Sequence, residues 1–248
     1  MTKKIAVWFS CGAASAVAAK LTLDQYPDDT VWVVNNPVLE EDADNIRFLH
    51  DVEAWLGVKI EPVIHPHFPD CSAEDVWRRE RYMSGVHGAP CTRYLKKRAR
   101  QVWENSHAVD FHVLGFTADE QRRHERFVLS ERDNVLPILI DAGMNKQDCI
   151  NYLQRQGLRL PRVYAMGYPN ANCIGCVKAT SPTYWNHVRR YHPAVFTRRA
   201  GLSRKLGVRL TRVKGDRVFL DELSPTAKGN SMKSMEIDCG IFCEETDT

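Results

Sequence analysis

The chain has 248 residues, 34 Lys and Arg against 31 Asp and Glu, and a formal net charge of +3. That length holds one substantial core, or one core plus an appendage, and the apolar and charged fractions are those of an ordinary soluble globular protein. No apolar run approaches a membrane span, and Met1-Thr2-Lys3-Lys4 leads into a strand-like run without the apolar stretch of a signal peptide, so a cytoplasmic protein with no membrane partner is expected.

Lys4 to Phe9 is a short β-branched and aromatic run closed by Ser-Cys-Gly, and it reads as a buried strand. Alanine-rich Ala14 to Leu23 reads as a helix, and Thr30 to Val34 as a second strand. Asp42 to Leu56 carries Ile46, Leu49, Val52 and Leu56 at near-helical spacing, with Gly57 as the stop. Val58 to Ile64 is a third strand, closed by His65-Pro66-His67. Asp110 to Phe116 is a fourth, and Val135 to Ile140 a candidate fifth. Strands alternating with helices predict an α/β fold, a doubly wound parallel sheet with helices on both faces. Ligands then sit beyond the carboxyl ends of the strands, so the loops starting at Ser10, Asn35, His65 and Thr117 share one face.

After Ile140 the pattern changes. Asn145 to Arg155 reads as a helix capped by Asn145, and 158–176 is irregular, rich in Pro, Gly and Asn. Thr183 to Leu206 is helical with a break at His192-Pro193. Val208 to Val213 and Arg217 to Leu220 form a hairpin turning at Lys214-Gly215-Asp216. The chain is expected to divide into an α/β domain, 1–180, and a basic C-terminal extension with a cysteine-bearing tail, 181–248. Between His187 and Arg217 lie ten basic residues and one acid, Asp216. Such a run is either a surface for tRNA or DNA or a solvated helical face.

A strand, a loop of small residues and a helix N-terminus make an anion site. Here the loop is Ser10, Cys11, Gly12, Ala13, Ala14, Ser15. Gly12 admits close approach, the alanines keep the floor clear, and Ser10 and Ser15 offer hydroxyls. No Lys follows as in a Walker A loop. Eight cysteines in a reducing compartment point to metal or redox chemistry rather than disulfides. Cys173-Ile174-Gly175-Cys176 spaces two thiolates for one metal, with further ligands needed to complete a zinc site or cluster. Cys71 and Cys149 read as small core residues. Glu40, Glu41 and Asp42 read first as an acidic helix start and second as a Mg²⁺ site through water.

Phe9-Ser10-x-Gly12-x-x-Ser15 resembles the PP-loop of the adenine-nucleotide α-hydrolase-like superfamily, with Cys11 where the usual loop has glycine. Further motifs resemble its phosphoadenylyl-sulfate and adenylyl-sulfate reductase branch. These are Asn36-Pro37-x-x-Glu40-Glu41, Gly115-x-Thr117-x-x-Glu120-x-Arg122, Leu136-Pro137-Ile138 with Asp148 and Tyr152-Leu153, and Gly167-Tyr168 before Cys173-x-x-Cys176. The match runs from about Lys3 to Thr180. The resemblance implies that Ser10 to Ser15, Asn36, Gly115, Thr117 and Glu120 bind an adenine nucleotide. It also implies that Cys91, Cys173 and Cys176 hold a 4Fe-4S cluster, with Pro90 where a fourth cysteine is expected. Lys96 would lie near cluster or substrate, and Arg122 would pair with phosphate or sulfate.

Asp238-Cys239-Gly240-Ile241 resembles the tail motif whose cysteine attacks the sulfur of the bound nucleotide, with Phe242 in place of the usual histidine. Cys239 is therefore a nucleophile candidate, or Cys239 or Cys243 a fourth ligand. A zinc site of Cys173, Cys176, Cys239 and Cys243 is the structural alternative. Three functions follow: a sulfonucleotide reductase with a thiol reductant as partner, an ATP-dependent sulfur-transfer or desulfurising enzyme on tRNA, DNA or a nucleobase, and a non-enzymatic nucleotide- and metal-binding module. A homo-oligomer is left open.

Overall fold

Five short strands, β1 (Lys4–Trp8), β2 (Thr30–Asn35), β3 (Ile60–Pro62), β4 (Phe111–Val113) and β5 (Val135–Leu136), form one sheet in the order β3-β2-β1-β4-β5. Every pairing is parallel. This computed structural model describes residues 2–85 and 88–232. Parallel strands need crossovers, and helices supply them: α1 (Ala13–Gln25), α2 (Asp44–Leu56), α3 (Ala73–Glu80) and a helical run from α4 (Pro90–Thr92) through a π-helical stretch (Arg93–Arg98) into α5 (Ala99–Glu104). After β4 come α6 (Gln121–Ser130), the single turn α7 (Ile138–Asp141), α8 (Lys146–Arg155) and the single turn α9 (Arg162–Ala165).

Side chains alternate across a strand, so β1 serves two cores. Ile5 and Val7 join Ala16 and Val17 of α1, Phe48 and Val52 of α2, and Leu153 of α8. Ala6 and Trp8 face the other way, onto Val34, Val63, Ala99 and Trp103. Helices thus cover both faces, the doubly wound arrangement expected. The chain places β2 and β3 on one side of β1 and β4 and β5 on the other. The connections reverse beside β1, and the crevice beyond the ends of β1 and β4 is where such sheets bind ligands.

The third, fourth and fifth strands are shorter than their apolar runs. Pro62 and Pro137 lack the N–H that a further ladder bond needs, so β3 stops at Pro62 and β5 gives way to α7. Local signals hold well elsewhere. Gly57 closes α2 in the left-handed conformation at φ +70°. Asn145 caps α8 reciprocally with Asp148.

In the C-terminal part, α10 (Pro182–Tyr191) and α11 (Pro193–Lys205) break at His192. The hairpin of β6 (Thr211–Val213) and β7 (Asp216–Val218) turns on Lys214 and Gly215, both at positive φ. Trp185, Val188, Phe196, Leu202, Leu210 and Leu220 belong to the same apolar core as β1 and α1. The Arg212 amide donates to the Thr180 carbonyl at 2.8 Å, joining the hairpin to the first part of the chain. No helix among the described residues is long and apolar enough to cross a membrane.

Candidate nucleotide and cysteine site

The loop after β1 is set by short-range chemistry. Ser15 Oγ accepts from the Ser10 amide (3.1 Å), bonds Ser10 Oγ (3.2 Å) and donates to the Gly12 carbonyl (3.0 Å). Ser15 is buried while Ser10 is exposed. Of the two hydroxyls expected to meet phosphate, Ser15 therefore shapes the loop from inside, and Ser10 faces outward. Cys11 is buried at φ +55°, the left-handed region that favours glycine, which accounts for the glycine usual at this place in similar loops. Gly12 stands as N-cap of α1 at φ −97°, ψ 157°, and the first-turn amides have no intrahelical acceptor. One of these, the Ala13 amide, donates to Tyr164 Oη at 3.2 Å.

Two buried asparagines close β2. Asn35 Nδ2 donates to the Phe9 carbonyl at 2.8 Å and holds the start of the loop. Asn36, expected to touch nucleotide, donates to the Val63 carbonyl at 3.0 Å and ties β2 to β3. Gly115 lies across the crevice, where a Cβ would come within 3.0 Å of the Ser15 amide nitrogen and 3.3 Å of the Ala14 carbonyl carbon. Only glycine lets the two loops approach this closely. Thr117 and Glu120 form a reciprocal cap, and Thr117 Oγ1 also bonds Asp119 at 2.6 Å. Glu120 further pairs with Arg123 at 2.5 Å. Both are thus engaged in shaping the loop. Arg122 on α6 is exposed and has no ion pair among the described residues.

Electrostatics tie the loop to the basic helix. Burial, then Glu41, pushes the Cys11 thiol far above the ordinary thiol value, while Lys96 pulls it down. Lys96 lies in the π-helical stretch, and its charge is felt at Cys11. Lys146, which sequence reasoning passed over, is half-buried where two loops meet. Its ammonium contacts the Pro169 carbonyl and Asn170 Oδ1 (2.5 Å). Burial lowers its pKa, and Glu120 and Asp119 oppose that shift. Its place directly after the Asn145 cap was the only signal.

Cys173 and Cys176 form a knuckle turning on Gly175 at φ +70°. The Cys176 amide donates to Tyr184 Oη at 2.8 Å, and that hydroxyl approaches the Cys173 carbonyl at 3.3 Å. Burial holds the Tyr184 phenol far above its ordinary value, and the two cysteines add to this. The Ile174 amide donates to the Glu40 carbonyl at 2.9 Å, while the Glu40 carboxylate accepts from the Ala73 and Glu74 amides (2.7 and 2.9 Å) and Ser72 Oγ. Cys91 is the second residue of the helical run, which opens at Pro90 and packs on α3. Among the described residues, no set of three or more Cys, His, Asp or Glu side chains is gathered for a metal ion. Cys239 and Cys243 lie outside the described residues.

The acidic run after β2 serves protein groups. Glu40 caps α3, Glu41 accepts from Asn45 Nδ2 (3.1 Å), and Asp42 holds the Arg162 guanidinium (2.7 and 3.1 Å). None of the three lies in the first turn of α2, which begins at Asp44; Glu40 instead adds to the cap of α3. In the basic 187–217 stretch, Arg189, Arg199, Arg204 and Arg217 are anchored to carbonyls or carboxylates, Arg199 being buried against Glu74 at 2.9 Å. Compared with known proteins, the chain matches no family model and no curated protein.

Proposed function

We propose that this chain is an adenine-nucleotide-binding enzyme of sulfur chemistry, of the phosphoadenylyl-sulfate or adenylyl-sulfate reductase type on a PP-loop fold. The observation that carries the reading is the approach of Gly115 to the Ser15 amide at the reversal point of the sheet. It places two motifs, about a hundred residues apart, on one crevice with a helix N-terminus at its floor. Phosphate binds beside Gly12 and Ala14, with Ser10 as hydroxyl donor. Lys96 and Arg122 neutralise the sulfate end.

The chemistry rests on Cys239. Its thiolate attacks the sulfur of the bound sulfonucleotide, the bond from sulfur to the phosphate oxygen breaks, and the nucleotide leaves as AMP from adenylyl sulfate or as the 3′,5′-bisphosphate from phosphoadenylyl sulfate. A second thiol, from a reductant partner, attacks Cys239 sulfur and releases sulfite. The two thiols end as a disulfide and the sulfur is reduced by two electrons. Met232 lines a small cavity with Tyr168, Cys173 and Tyr184. Cys239 lies seven positions further along the chain, a reach of up to ~24 Å. That reach supports tail cysteines meeting the knuckle.

Cys91, Cys173 and Cys176 are the proposed holders of a 4Fe-4S cluster, with Cys243 as fourth ligand. Among the described residues these three cysteines are not gathered as a metal site, so holding a cluster would require Cys91 and the 173–176 pair to draw together around it. A bound cluster, held by thiolates, would carry net negative charge and supply sulfur-ligated iron beside the site, and Lys96 would offset that charge and the charge of the substrate sulfate. The test is anaerobic purification with iron, sulfide and zinc analysis, and sulfite release from both sulfonucleotides. The expected result is iron and sulfide in the wild type, lost in Cys91→Ala, with turnover lost in Cys239→Ser. A colourless zinc protein indifferent to Cys91→Ala removes the cluster. Full turnover in Cys239→Ser removes the reductase chemistry.

A further inference from the structure

Beside the nucleotide crevice, the loop after β3 and the 90–104 helical run build a rim of rings and cations. Arg79, on α3, lies over the Phe68 ring at 4.8 Å and donates to the His67 carbonyl at 3.1 Å. Phe68 meets Tyr94 at 5.1 Å, and Arg98 lies over Tyr94 at 4.6 Å. His65 stands edge-on to Tyr94 at 5.8 Å and contacts His67 at 5.2 Å. The result is one continuous series, Arg79–Phe68–Tyr94–Arg98, with two imidazoles along it. The rings are buried or half-buried, while Arg79, Arg98 and His67 are exposed.

Charge on this rim is not neutralised. Arg79, Arg81, Lys97 and Arg98 form no ion pair with any described carboxylate. Glu80 is taken by the Tyr94 hydroxyl at 3.0 Å. A guanidinium held flat on a ring is oriented without being neutralised, and its outer face can stack on a base while its edge meets phosphate. The π-helical stretch carries both functions. Tyr94 and Arg98 take part in the ring series, and Lys96 lies between them in the same stretch. π-Helical turns are frequent at functional sites.

We propose that this rim binds single-stranded nucleic acid, with phosphates at Arg79, Arg81, Lys97 and Arg98 and unstacked bases on the His67 imidazole and the guanidinium planes. Stacking planes interleaved with unpaired cations suit bases and phosphates together; an acidic peptide would use the charge alone. The inference goes beyond the nucleotide reading and does not rest on it.

Fluorescence anisotropy of the full chain with labelled single-stranded RNA and DNA, and with a duplex of the same sequence, tests it. Single strands are expected to bind better than duplex, with affinity falling steeply between about 50 and 200 mM salt. R79A/R98A should weaken binding at least about tenfold and make the log–log salt slope shallower by about 1.4, since each phosphate contact on a single strand contributes about 0.7. His67→Ala should weaken binding about fivefold and leave the slope unchanged. The RNA and DNA arms identify the sugar. Gly12→Val, which fills the anion-facing loop, should leave strand binding intact, separating this outcome from the nucleotide one. Absence of binding, preference for duplex, equal competition by polyglutamate, an unchanged folded R79A/R98A variant, or loss in R190A/R198A/R212A instead would each overturn the proposal.

Discussion

Cys11 carries a conformational cost that its chemistry does not obviously require. A left-handed L-residue costs roughly 1–2 kcal/mol, and here φ is +55° with the thiol buried under the loop. Replacing it by glycine removes the strain and loses the thiol contacts; replacing it by alanine loses the contacts and keeps the strain. Cys11→Gly should therefore be more stable than Cys11→Ala by about 1 kcal/mol in urea unfolding. The reverse order would mean that the loop relaxes when the thiol is removed. His112 makes a second residue-level case. It is 1 % exposed, accepts from Trp8 Nε1 (3.1 Å) and faces Arg132 (2.9 Å). Burial first, then Arg132 and Arg100, hold its pKa down at about 3. The folded state keeps the ring neutral while the unfolded chain takes up a proton below about 6.5. Its contribution is thus complete above pH 6.5 and is lost as pH falls toward 3, on the order of 4 kcal/mol across that window. His65, His187 and His192 shift in the same direction, also by burial. Urea midpoints from pH 7 to pH 4 should fall in the wild type and fall less steeply in His112→Gln.

At the scale of elements, the fit between the loop after β4 and the start of α1 is the least forgiving feature of the site. A methyl at Gly115 meets backbone rather than a side chain that could swing away. Gly115→Ala should cost about 1–3 kcal/mol by overpacking, read as a lower denaturation midpoint with an unchanged slope. A midpoint equal to the wild type would mean the crevice is loose. Elements and turns whose signals are local were legible in the sequence. Gly57 stops α2, Asn145 starts α8, His192-Pro193 divides α10 from α11, and Lys214-Gly215 turns the hairpin. Each depends on its own neighbours. The partners that finish the loop were not legible, because they arrive from distant segments. Tyr164 reaches Ala13 across 151 positions, and Asn35 reaches Phe9 across 26. By contrast α3 carried a local signal that went unread: Ser72 caps it by accepting from the Asp75 amide at 3.2 Å, and Glu40, more than thirty residues upstream, only adds to that cap.

For the whole molecule, strand order does most to define where chemistry can happen. The alternation of strands and helices called for a parallel sheet, and the order β3-β2-β1-β4-β5 adds the reversal beside β1. That reversal brings the Ser10–Ser15 loop and Gly115 to one crevice, and the basic helix lies near enough for Lys96 to act on Cys11. Occupancy of the crevice by an adenine nucleotide is the central claim, and Gly12→Val tests it most directly. A Cβ at Gly12 meets only ordinary contacts, Ser10 Oγ and Tyr164 Oη at 3.6 Å and Ser15 Oγ at 3.9 Å, and its backbone is extended. The substitution should shift the melting temperature by no more than about 4 °C, the scale of a lost helix cap. Calorimetric titration with ATP and with the two sulfonucleotides should show saturable binding of at least one by the wild type, weakened at least about tenfold in Gly12→Val. Binding of none of them, or equal affinity in both proteins, would contradict the account.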